Sequence, residues 1–260
     1  MKPFSRLRLS TALISTALML IVYATAAADT PLTGTWSVQL GNDPVNVQFG
    51  ARYDSDRDHS DWTRDVPISS LAGLTRDQLQ SNGVDVRFDL VREAGTLHCA
   101  GYASHGGGGG TFTFAPSTSF SDALASRGIS RPDAGQQLRM AMANVTIAFV
   151  DMLRHNSNAI TTTDEIIRVL NHGVDERYIT GLAAIGYKNL GADDLVRLRD
   201  HGVSVDYAQG MLALGYHATP EDLIRLRDHG VTLDFVKRVR DRGYNATLEQ
   251  LIRLRDAGIN

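Results

Sequence analysis

The sequence predicts an α+β protein, with an N-terminal mostly antiparallel β domain (29–116) followed by an all-α stack of 28–30-residue helical-hairpin repeats (117–260). Three observations lead there. Residues 29–116 alternate apolar and polar side chains in short runs. From about 117 the runs lengthen, and glycine or asparagine punctuates them at regular intervals. One decapeptide is also written three times, as LVRLRDHGVS (195–204), LIRLRDHGVT (223–232) and LIRLRDAGIN (251–260).

The start of the chain differs from both regions. Lys2, Arg6 and Arg8 precede the apolar stretch TALISTALMLIVYA (11–24), and ATAAAD (24–29) supplies small residues for cleavage after Ala28. That order is the pattern of a Sec-type signal peptide, and the apolar run is short for a membrane span. The expectation is a signal peptide over 1–28 and a mature chain, without a membrane span, that is periplasmic or secreted. Cys99 is the single cysteine, so no internal disulfide staples an exported fold. It sits in the strand-like GTLHCAGY and reads as a small buried hydrophobe. The formal net charge of −3 gives no basic face for nucleic acid and no polybasic membrane anchor.

Within the β region, strands are expected at TWSVQL (35–40), VNVQFGARY (45–53), VDVRFDLV (84–91), TLHCAGY (96–102) and TFTFAP (111–116). Period-two patterning predicts a sheet with one covered face. SLAGLTRDQLQSNG (70–83) reads as a short helix or compact connection, and REAG (92–95) as a hairpin turn. The glycine run in HGGGGG (105–110) precedes a strand rather than a helix, so it does not fit a phosphate loop. A flexible hairpin connection is expected there. DSDRDHSDWTRD (54–65) matches a calcium loop only in part. Asp54, Asp56 and Asp58 occupy ligand positions, but His59 stands where glycine is needed and Asp65 where a bidentate glutamate closes the site. A solvated acidic loop is expected, with calcium at Asp54, Asp56 and Asp58 as the alternative.

The repeats are read from their helix ends. Gly128, Asn144, Gly173, Gly186, Gly202, Gly215, Gly230, Gly243 and Gly258 are each followed by an apolar residue that pairs with one five positions earlier. Leu226 with Val231 and Val239 with Tyr244 are examples. This is the signature of a left-handed helix cap with its apolar contact. Asn156 alone breaks the pattern, since Ser157 follows it. Starts agree: Thr162, Gly191, Thr219 and Thr247 precede one helix type, with Glu165, Asp194, Asp222 and Gln250 placed for capping boxes. Thr146, Asp175, Ser204 and Thr232 precede the other type, which carries Phe149, Tyr178, Tyr207 or Phe235 near its start; one period earlier lies Phe120. Helices of about ten residues are marginal alone, so they must stack, as a right-angled or curved array of about five hairpins. The aromatic ladder reads as core rather than as a ligand-stacking surface.

Two arginine registers, Arg197, Arg225, Arg253 and Arg199, Arg227, Arg255, lie in the last helical turns. Cations there favour the macrodipole, and Asp200, Asp228 and Asp256 follow three residues after the first set, within helical pairing distance. The expected outcome is a solvated face; an outward arginine row for an acidic peptide or surface polymer is the alternative. His201 and His229 share a register but make a weak metal signal.

VRFDLVREAGTLHCAGYASHGGGGGTFTFAPSTSFSDALASRGI (86–129), followed by LIRLRDHGVTLDFVKRVRDRGY units, resembles an uncharacterised family of bacterial exported proteins. It is also similar to extracytoplasmic extensions of β-lactam-sensor-type membrane metallopeptidases. The resemblance implies an envelope or sensing context. The chain has no HExxH motif and no multi-pass region, so the peptidase chemistry does not carry over. No catalytic, cofactor-binding or metal-binding residue is assigned, and no cofactor is implied. The expected function is a non-catalytic exported protein-interaction or scaffold module with a protein or envelope-polymer partner. The alternatives are a calcium- or ligand-binding envelope protein acting through the β domain, or a hydrolase built from His59, His98, His105 and the Asp54–Asp65 cluster.

Overall fold

The computed structural model of the protein describes residues 31–55, 58–157 and 159–259, with the side chains at 55 and 58–60 left aside. The expected signal peptide lies outside the described residues, as do Asp56 and the side chains of Asp58 and His59. Among the described residues no helix is long and apolar enough to cross a membrane.

Seven antiparallel strands form one curled sheet in the order β3-β2-β1-β7-β6-β5-β4. They are β1 (Leu32–Leu40), β2 (Asn46–Ser55), β3 (Asp58–Pro67), β4 (Leu71–Ala72), β5 (Val84–Arg92), β6 (Gly95–Ser104) and β7 (Gly107–Pro116). β3 and β4 are the two edges, yet a single 3-10 turn, Ile68–Ser70, joins them. Four residue steps reach at most about 14 Å, so the linked ends of the edge strands must nearly meet. The curl encloses Trp36, Phe49, Phe88, Phe112 and Phe114, all buried. Trp36 stands edge-on to Phe88 at 4.8 Å and donates its indole N–H to the Ala100 carbonyl at 3.2 Å. The helix α1 (Arg76–Gln80) supplies the short helix expected in 70–83; a Thr75–Gln78 capping box starts it, and Leu79 is fully buried.

Two expectations in this region are corrected. The glycine run is not a flexible connection. Only His105 and Gly106 form the turn, both with positive φ, as in the tight turns that suit hairpin twist. Gly107–Gly110 are paired strand residues between β1 and β6. A Cβ on Gly110 would lie 2.1 Å from the Ala100 carbonyl oxygen, and one on Gly101 would lie 2.2 Å from the Gly109 carbonyl. The glycines are there because the backbones close in on each other where the sheet curls. The second correction concerns 54–65, which forms most of the β2–β3 hairpin rather than a loop. Asp54 pairs with His59, and Arg52 with Asp61, in an extended ladder. A twelve-residue calcium loop must wrap around its ion; this backbone runs out and back instead.

Ten helices follow, in five pairs: α2 (Thr118–Ser126), α3 (Ala134–Met142), α4 (Ile147–Asn156), α5 (Thr163–Asn171), α6 (Glu176–Ala184), α7 (Ala192–Asp200), α8 (Val205–Ala213), α9 (Pro220–Asp228), α10 (Leu233–Asp241) and α11 (Leu248–Asp256). All nine expected left-handed caps have positive φ. In each, the residue after the cap donates its N–H five residues back, over 2.9–3.2 Å, as Val231 does to Leu226 and Tyr244 to Val239. The expected caps Thr146, Thr162, Asp175, Ser204, Thr219, Thr232 and Thr247 all accept from the backbone N–H three residues on. Gly191 has no side chain with which to do so. The first pair uses Ser117 and Asp133. Asn156 does not cap in the left-handed way: it is the last residue of α4, the extended Ser157 follows it, and its side-chain amide donates to the Met152 carbonyl at 2.8 Å.

Even-numbered helices pack on their even neighbours and odd on odd, which makes two parallel rows. α3 rests on β3, β6 and β7, so the stack grows from the sheet and shares one continuous core with it.

Two glycines give the fold its tests. Gly110→Ala should cost about 1–3 kcal/mol through overpacking. Gly230→Val should cost more than about 1 kcal/mol, because a β-branched residue strains the left-handed cap. Chemical denaturation of both variants measures this, and an unchanged midpoint for either removes the corresponding reading.

Candidate interaction surface

The groups that looked available for binding are mostly spent on joining one repeat to the next. Tyr178 and Tyr207, near the starts of α6 and α8, are buried, and their hydroxyls donate to the carbonyls of Val203 at 2.7 Å and Val231 at 2.9 Å. Burial pushes both phenols up to about 12, which keeps them as neutral donors. Phe120, Tyr178, Tyr207 and Phe235 are buried and Phe149 is half-buried against them, so the aromatic ladder is core, as expected.

Arg199, Arg227 and Arg255 do not face outward as a row. Their guanidinium groups stack over Tyr178, Tyr207 and Phe235 at 5.2, 5.0 and 5.6 Å. Each also lies against the glycine cap of the preceding odd helix, and Arg255 donates to the Gly230 carbonyl at 3.1 Å. A side chain on that glycine would have to share this space.

The other arginine register is corrected as well. It does not pair along its own helix with Asp200, Asp228 and Asp256. Arg168 bonds Asp193, Arg197 bonds Glu221 at 2.6 Å, and Arg225 bonds Glu249 at 2.8 Å. Each acid is the second residue of the next odd helix. The Arg225 hydrogen bond holds the Glu249 carboxyl below its usual range. The three aspartates instead accept from histidines one repeat back: His172 to Asp200, His201 to Asp228 at 2.6 Å and His229 to Asp256 at 2.8 Å. His201 and His229 are thus rungs, and no cluster of three or more metal-ligating side chains occurs among the described residues.

A third joint runs through the turns. Tyr187 donates to the Ala218 carbonyl at 2.6 Å, and Tyr216 donates to the Ala246 carbonyl at 2.9 Å. Each carbonyl lies just before the cap of the next odd helix. Tyr244 holds the same position in the last pair and is 64% exposed. With Asn245, Ala246, Gln250, Arg253 and Leu254 it lines an open groove of about 340 Å³. Ile259 nearby is 43% exposed.

Among the described side chains, His98 and His105 are not brought together. His98 projects from β6 on the exposed outer face and pairs with Asp89 of β5 at 2.8 Å. His105 sits in the β6–β7 turn, about 20 Å along the strand from His98. A semi-open cleft of about 100 Å³ does occur where the β2–β3 hairpin meets α3 and α5. Trp62, Phe112, Leu138, Met142 and Ile167 line it, with Arg139 among the polar groups. Nothing in the sequence reveals it, because it is assembled from four separate segments.

Cys99 is buried, and burial pushes its thiol up to about 12. At pH 8 the thiol of the folded protein should stay protonated and react slowly with a disulfide reagent, while denaturant should expose it to full labelling. Fast labelling of the native protein contradicts this burial.

No family model, curated protein or solved structure matches the chain.

Proposed function

We propose that the protein is a non-catalytic interaction module of the bacterial cell envelope, exported by its N-terminal segment and acting in a scaffold or sensing context. The observation that carries this reading is the exposed face of the α10–α11 pair. Arginine–acid pairs, histidine–aspartate pairs, tyrosine–carbonyl bonds and arginine–aromatic stacks join the later repeats, while α10 and α11 leave Tyr244 and Arg253 exposed in a groove. A surface that repeats the protein's own cohesive chemistry, open to solvent, is suited to hold a protein. The resemblance to envelope-protein extensions agrees with this reading.

The test is affinity capture from an envelope extract of the source cell, with the mature protein as bait. A stoichiometric partner is expected, and the exported chain should begin at Asp29 by intact-mass analysis. Hydrolysis of a substrate in a broad periplasmic panel, abolished by a single side-chain change, would replace the scaffold reading with an enzyme.

The cleft beside Trp62 favours a second reading, in which the β domain holds a small apolar ligand. Trp62, Phe112, Leu138, Met142 and Ile167 give it an apolar wall against which a small apolar ligand could pack, with Asp61, Arg139 and Asn171 on its polar side. Under xenon pressure the Trp62 indole resonance should move and that of Trp36 should stay. Unchanged resonances for both would remove this reading.

A further inference from the structure

We propose that the open face formed by Tyr244 and Arg253 receives the acidic N-terminus of a single helix from a partner protein. This inference rests on the interaction-module reading and names the chemistry of its partner.

The stack itself supplies the recognition rule. Wherever an odd helix docks on the preceding repeat, two contacts meet its first turn. At α11, Tyr216 takes the carbonyl of Ala246, just before the Thr247 cap, and Arg225 takes Glu249, the second helical residue. At α9, Tyr187 takes the carbonyl of Ala218 and Arg197 takes Glu221, again the second residue. The pattern read is thus a free carbonyl, a capping residue, one more residue, and then an acid. Tyr244 and Arg253 stand in these two registers on the last pair. The Tyr244 hydroxyl makes no hydrogen bond among the described residues, and Arg253 is 76% exposed against 47% for Arg225. Arg253 reaches only its own helix's Glu249, at 3.5 Å, and that carboxylate is already bonded to Arg225 at 2.8 Å.

The remaining docking positions are changed. Where His229 reaches the following aspartate, the last pair has Ala257. Gly181 and Gly210 let Val205 and Leu233 of the next even helix pack closely, whereas the corresponding residue of α10 is the exposed Arg238. The even row is therefore closed by a bulky cation, and the odd row stays open only toward a helix start. That selects one helix rather than a further hairpin.

A second copy of this chain does not fit. Of its acids in the required position, Asp164, Asp193, Glu221 and Glu249 already face Arg139, Arg168, Arg197 and Arg225. Asp206 and Asp234 follow caps whose preceding carbonyls, of Val203 and Val231, Tyr178 and Tyr207 already hold, and Asp77 of the five-residue α1 follows the buried Leu74. The first odd helix of the stack, α3, offers Gly135 there instead. Face-to-face pairing of two ends would bring Arg238 and Arg253 against their own copies. An acidic helix start from another protein meets both the two-point geometry and the positive charge of the face.

The probe is a synthetic peptide of residues 217–230, HATPEDLIRLRDHG, which carries the α9 start, held helical by a side-chain lactam and titrated into the mature protein. Saturable binding at roughly millimolar concentration or below is expected, with shifts in the Tyr244 and Arg253 resonances. Tyr244→Phe and Arg253→Gln should each weaken it by about fivefold to tenfold, as loss of one hydrogen bond does. Changing Glu221 to Gln in the peptide should weaken binding to the wild-type protein but add little against Arg253→Gln, because both remove the same contact. The proposal is overturned if the constrained peptide does not bind, if both protein variants bind it as the wild type does, or if the peptide and Arg253 substitutions are additive. Should it fail while envelope capture still succeeds with Arg253→Gln as bait, the module reading survives and its surface lies elsewhere.

Discussion

The left-handed helix cap is the constraint on which the repeat half depends. A nine-residue helix has too few hydrogen bonds to persist alone. In this chain every helix of the stack but α4 is cut to that length by a residue at positive φ, usually glycine, and the chain is turned at once toward the next helix start. The same short segment closes one helix with the Val231–Leu226 type of bond and opens the next with a threonine or serine side chain. Because the turn is nearly identical each time, successive helices arrive in the same register. Only then can one arginine, one histidine and one tyrosine find their partners again a repeat later.

That regularity also explains how the charged residues are used. Individual exposed ion pairs contribute little to stability. Their value here lies in register: a helix displaced along the row would lose its arginine–acid contact, its histidine–aspartate contact and a tyrosine hydrogen bond together. Apolar burial supplies the cohesion, and the polar rungs specify which helix face meets which.

Much of the repeat region was legible because its signals are local. Gly230 followed by Val231, with Leu226 before it, announces a cap within six residues, and Thr219 with Asp222 announces a start within four. Partners across repeats were not legible. Asp228 lies near Arg225 in sequence, yet it bonds His201, because the distance between stacked helices is set by packing that the sequence does not display. The β half shows the same division. Alternation revealed the strands through Phe49 and Phe88, but the charges of 54–65 hid the edge strand β3, where one face meets water. The Gly107–Gly110 run carries no alternation at all; its reason, the close approach of Ala100 and Gly101, exists only in the curled sheet. The Trp62 cleft was invisible for a similar reason.

The β1–β7 seam has a consequence for how the molecule forms. Leu32 lies opposite Phe114, so the strand that begins the sheet waits for the strand that ends it. Every helix joint, by contrast, links residues about one repeat apart. Contacts between distant parts of a chain form slowly because a long loop must close first. The expectation is that the sheet sets the pace of folding and the repeats then add by short steps. A chain delivered N-terminus first could pair β1 with β2 at once but would have to keep the other edge of β1 open until β7 had followed it, so the glycine-rich strand acts as the last piece of the sheet and as the gate to everything stacked upon it.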